Sequence, residues 1–133
     1  MSRHPTATAG TVRVFNEVML RAVTVPAYWR GKYFAVTGMD NALSSKPAMP
    51  GRYAVTSWRY VVTHLPTGCA VYFATALRRA VRLAKRLDSQ ANSVWGSAQW
   101  EFGAWANRDH PLYEAACMQL AAARRDAEEG RKR

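Results

Sequence analysis

Arg78, Arg79, Arg82, Lys85 and Arg86 follow one another with no acidic residue between them. Guanidinium and ammonium groups at this density attract phosphate or carboxylate. On a helix, Arg78, Arg82 and Lys85 would line one edge and meet phosphates, with Arg79 and Arg86 flanking them. Each neutralised phosphate releases counterions, so affinity for nucleic acid would fall steeply with salt. The plainer alternative is a solvated helix face that binds nothing.

Trp95, Trp100 and Trp105 recur every five residues, with Phe102 between them. Aromatics beside cations can stack unpaired bases or anchor a protein interface. They can also form a satellite core, which is the expected fate of two of the three. Trp95 is the expected exposed one, because Ser93, Gly96 and Ser97 surround it.

Catalytic patterns are sparse. His4, His64 and His110 lie far apart, and neither they nor the cysteines have metal-finger spacing. Cys69 and His64 would share a hairpin, which allows a thiol–imidazole dyad; a structural histidine beside a buried thiol explains the same residues more simply. Glu17, Asp40, Glu101 and Glu114 stand alone, while Asp126, Glu128 and Glu129 would pair within a helix with Arg124, Arg125 and Lys132. No phosphate loop and no nucleophile elbow is present. The expectation is a non-enzymatic protein without cofactor or metal.

The elements that would carry these residues can be read in part. Leu77, Ala80, Val81, Ala84 and Leu87 recur at helical spacing, which predicts a helix over about 76–88, with Thr75 as its N-cap. A β-hairpin over about 59–73 precedes it, turning at Leu65-Pro66-Thr67-Gly68 with Gly68 at positive φ. Asp109 and Pro111 would open a second helix at about 111–128. Lys32 to Thr37 reads as a strand, and Gly38 to Gly51 as a loop. Thr11 to Val25 fits strand and helix in different parts, and Pro26 would end it. The fold class is α+β: a small antiparallel sheet packed against two main helices. Residues 1–10 would be a flexible start, 11–129 a single domain and 130–133 a basic tail.

The chain has 133 residues, 49% of them hydrophobic, and a net charge of +10 from 19 Lys+Arg against 9 Asp+Glu. That length suffices for one self-supporting core. The positive excess extends over both halves of the chain and favours anionic partners. Cys69 and Cys117 are expected as buried free thiols rather than a disulfide. The segment Met1 to Gly10 carries no apolar leader, and no run reaches membrane-spanning length, so the expected location is the cytoplasm, that of a host cell if the gene is mobile.

Two resemblances add to this. Leu83 to Gln90, followed by Val94-Trp95 and Trp100-Glu101-Phe102-Gly103, looks like the helix-turn-helix of phage repressors, with Asp88 alone where that family has a Gly and a further residue. Tyr60 to Leu87 resembles hairpin–helix units in small proteins of phages and mobile elements, which include DNA binders and anti-CRISPR inhibitors. The leading expectation is binding of nucleic acid through Arg78, Arg79, Arg82, Lys85 and Arg86, with Trp95. The alternative is a phage-type inhibitor whose basic face docks on a nucleic-acid-handling protein complex.

Overall fold

The computed structural model describes residues 7–16, 19–38, 60–90, 94–104 and 109–131. Five strands form one antiparallel sheet in chain order: β1 (Thr11–Asn16), β2 (Arg21–Arg30), β3 (Phe34–Gly38), β4 (Tyr60–His64) and β5 (Cys69–Ala74). Two helices follow, α1 (Leu77–Ser89) and α2 (Tyr113–Arg131). The sheet curls into a half-barrel, which confirms the α+β class. Its curl brings β1 to the β4–β5 turn, where the Phe15 N–H donates to the Gly68 carbonyl at 2.8 Å.

The segment 11–25, ambiguous as sequence, contributes residues 11–16 and 21–25 to two strands, and β2 runs straight through Pro26. The proline is tolerated because β2 changes partner there. Residues 21–26 pair with β1, and the β3 ladder begins at Ala27. A missing N–H at that switch costs no ladder bond. The β1–β2 turn contains Leu20 at φ 54°, a left-handed conformation that a bulky residue rarely adopts. The Asn16 side chain supports it, its Oδ1 accepting the Met19 N–H at 2.9 Å. The chain is already attached to the sheet before β1, since the Ala9 N–H bonds to the Ala27 carbonyl.

The β4–β5 hairpin forms as its turn residues require. Gly68 sits at φ 69°, and its N–H reaches the His64 carbonyl at 2.7 Å. One face of the sheet packs Phe34, Val36, Tyr60, Val62 and Tyr72 against Ala80, Leu83, Ala84 and Leu87 of α1. The other face, folded in by the curl, holds a smaller cluster of Val12, Val14, Val25, Ala27 and Ala35.

Both helix starts differ from expectation. α1 has Ala76 at its N-cap position with no side-chain cap, so Thr75 does not cap it. α2 begins at Tyr113, two residues after the expected start, and His110 Nδ1 takes the Leu112 N–H at 3.1 Å just before it. The expected loop over 38–51 falls, from residue 39 on, outside the described residues, as does Trp105. No described helix is long and apolar enough to cross a membrane.

Candidate binding face on the first helix

The buried stripe of α1 is Ala80, Leu83, Ala84 and Leu87. Relative to the predicted stripe it is rotated to include Leu83 and to leave Leu77 and Val81 half-buried at its margin. This rotation decides where the cations go. Arg78, Arg82 and Lys85 are exposed together. Arg86 is not free, because it pairs with Asp126 of α2. Arg79, half-buried and one heptad before Arg86, lies on that same side of the helix. The five predicted cations therefore divide into an outward group of three and a pair on the α2 flank.

Beside the outward group runs a shallow open groove of about 500 Å³, lined by Leu77, Arg78, Val81, Arg82 and Lys85. Its walls are mainly apolar, so the cations form a rim over a Leu–Val floor. None of the lining residues is acidic. Val81 and Lys85 follow Leu77 at four-residue intervals, and Arg82 follows Arg78 likewise. The two rows are neighbours on the helix, and the furrow is the step between the half-buried Leu77 and Val81, which are its floor, and the longer Arg78–Arg82 row beside them.

α1 is held rigidly. At its C-terminal end the Asp88 carboxylate accepts the N–H groups of Lys32 (3.2 Å), Tyr33 (2.7 Å) and Phe34 (3.2 Å) in the β2–β3 turn. Gly31 makes this approach possible, since a Cβ there would stand 2.7 Å from the Asp88 carboxyl carbon. Arg86 and Asp126 tie α1 to α2 on one flank.

Trp95 is not exposed, contrary to expectation. Its accessibility is 0% and its indole N–H donates to Gln119 Oε1 at 2.8 Å. The small neighbour that suggested exposure serves packing instead: a Cβ on Gly96 would lie 2.5 Å from the Tyr33 ring. Trp100 is buried too, bonded through its indole N–H to the Val94 carbonyl at 2.7 Å. Neither indole can reach a base or a partner surface from where it lies. Among the described residues the repressor-like helix-turn-helix has no second helix. Residues 94–104 form turns and an isolated Glu101–Ala104 bridge where a recognition helix would stand, with Gly103 at φ 85°.

His64 lies inside this aromatic cluster. Phe34, Trp95 and Trp100 surround it at ring-centroid distances of 5.1–5.3 Å. Its Nε2–H donates to the Trp95 carbonyl at 2.7 Å, and Nδ1 faces the Thr67 hydroxyl at 3.1 Å. Burial pushes its pKa down from 6.5 to about 4, against the opposing pull of the Trp95 carbonyl. Cys69 stands opposite His64 in the ladder, but its Sγ turns to the Thr67 carbonyl at 3.5 Å. The ring nitrogens face Thr67 and Trp95, which ties the β4–β5 turn to the aromatic cluster. Cys69 is buried, Cys117 is half-buried, and neither forms a disulfide. Among the described residues no group of His, Cys, Asp or Glu is placed to hold a metal ion.

Leu77 and Val81, expected in the core stripe, do pack against the core from its margin and also line the groove, which the sequence signals only indirectly. The signal was the position of Leu83, which extends the apolar arc further than one stripe needs. Comparisons with protein-family models, with curated proteins and with solved structures return no match.

Proposed function

We propose that this chain is a non-enzymatic binding module that docks the outward face of α1 on an acidic protein surface in the cytoplasm, in the manner of a small inhibitor. One observation carries this reading: Arg78, Arg82 and Lys85 rim an apolar floor of Leu77 and Val81. A phosphate backbone would satisfy the cations and leave that floor uncovered. A protein surface bearing carboxylates beside apolar side chains would satisfy both, as charge-complementary interfaces do.

Nucleic acid is the second reading, favoured by the net charge of +10. With Trp95 and Trp100 buried, such binding would rest on charge from the described residues and would be sequence-independent.

The test is a pull-down with the full chain and with an Arg78→Ala/Arg82→Ala/Lys85→Ala variant, in lysate with and without nuclease. The proposal expects a stoichiometric protein complex that survives nuclease and is lost in the variant. A complex that disappears with nuclease transfers the face to nucleic acid. Equal retention by the variant removes the face as the site. Exposed charges contribute little to stability, so the variant should melt like the parent.

A further inference from the structure

We infer that the furrow on α1 accepts an acidic amphipathic α-helix of a partner protein, laid alongside α1 as a third helix. This rests on the proposed docking through that face and names what docks.

Three sides of α1 already have a function. The sheet lies beneath Ala80, Leu83, Ala84 and Leu87, α2 is tied to the Arg86 flank, and Asp88 closes the C-terminal end. Among the described residues, the flank left over carries the rows Leu77–Val81–Lys85 and Arg78–Arg82. A furrow between two such rows is the shape into which the ridge of another helix fits. Leu77 to Lys85 spans about 12 Å at 1.5 Å per residue, so a little over two turns of partner helix would cover it. The chemistry of that helix follows from the lining. Apolar side chains at four-residue spacing would rest on Leu77 and Val81. Carboxylates on the flanking positions would meet Arg78 and Arg82 along one side and Lys85 at the end. Among the described residues no lining residue is acidic, so no like charge there opposes them. A basic or neutral helix would leave the three cations unpaired at the margin of a desolvated contact, which costs affinity.

The experiment is fluorescence anisotropy with the full chain and four probes. The first is a synthetic helix of about 16 residues, long enough to be helical when bound, with leucines at i and i+4 and glutamates beside them. The second has the same composition in an order that destroys the apolar stripe. The third is polyglutamate, and the fourth a short DNA duplex. The inference expects the amphipathic helix to bind about tenfold or more tightly than its scramble, and Arg78→Glu/Arg82→Glu to weaken it by at least about tenfold. Both substitutions are at exposed positions, and circular dichroism reports whether the fold is kept. Equal affinity for amphipathic helix and scramble overturns the inference. If polyglutamate still loses affinity in the charge-reversed variant, that failure leaves the docking face standing. If no probe responds to the charge reversal, the face itself is not used, and both fail. A duplex that displaces the helix peptide makes nucleic acid the occupant. Self-association through this face in sedimentation makes it a second copy, and either result overturns the inference.

Discussion

Acidification should weaken the fold through His64, by an amount the burial of the ring sets. An unfolded histidine titrates near 6.5, and the folded ring near 4. Above pH 6.5 both states are neutral, and the contribution to stability is complete. As the pH falls from 6.5 towards 4, the unfolded chain takes up a proton that the folded chain refuses. Stability is lost through that window and levels off below it. A shift of this size is worth about 3 kcal/mol. Urea denaturation at several pH values between 7.5 and 3.5 would measure it, in the parent and in His64→Gln, which keeps a donor for the Trp95 carbonyl but does not titrate. Carboxylate protonation affects both chains alike, so the difference between their two curves isolates His64. That difference should change by about 3 kcal/mol between pH 6.5 and 4. Parallel curves for the two chains would refute the reasoning, and so would a His64 imidazole resonance that titrates near 6.5 in the folded protein.

Asp88→Ala leaves three backbone N–H groups without their acceptor and should cost about 2–4 kcal/mol, with Asp88→Asn recovering part of it; a denaturation midpoint at the parent value would contradict the latch. Gly68→Ala places a Cβ 2.4 Å from the Phe102 ring and 2.9 Å from the Phe15 nitrogen, at φ 69°, and should cost about 2 kcal/mol or more. An unchanged melting temperature would exclude that packing. Thr63→Val should be neutral or stabilising, because its buried hydroxyl has no hydrogen-bond partner among the described residues, and a loss above about 1 kcal/mol would reveal a partner.

What the sequence disclosed, and what it concealed, follows from how local each signal is. The β4–β5 hairpin was legible because Pro66-Thr67-Gly68 states its turn chemistry in consecutive residues. α1 was legible as a helix from its apolar spacing. Its orientation was not, since Leu77, Val81 and Leu83 are all apolar and only the packing of the core cluster, which also holds Phe34, Val36 and Trp95, selects Leu83. The β1–β2 turn was illegible for a different reason: it uses Leu20 in a left-handed conformation where glycine or asparagine would have announced it. Trp95 was misread because glycine and serine neighbours are ordinarily surface punctuation. Here Gly96 is small so that Tyr33 can press against the backbone. At the site, the cations were visible from composition, but their division was not. It depends on Asp126, which lies forty residues from Arg86 in the chain and becomes its neighbour only when α2 folds back.

The local sequence of α1 opposes its own helix, and the opposition is confined to one end and one face. Its N-cap, Ala76, makes no side-chain cap, and its first turn holds no acid. Arg78 and Arg79 instead stand at the end where the helix dipole is positive, at a cost of a few tenths of a kcal/mol each, roughly. Arg78 and Arg82 then repel each other at i,i+4 spacing. Helix propensity and surface design would place glutamates at some of these positions. The helix forms because its opposite face is bound by four buried side chains, its end by Asp88 and its flank by the Arg86–Asp126 pair. Those restraints are strong where the sequence is locally favourable and absent where it is not. A local rule broken on a fixed scaffold, without compensation inside the fold, is the pattern expected of a surface kept for something outside it. A partner that brings carboxylates to Arg78, Arg82 and Lys85 would relieve the dipole conflict and the mutual repulsion together. Binding energy would then come from undoing what the free protein tolerates, as well as from the new contacts on Leu77 and Val81.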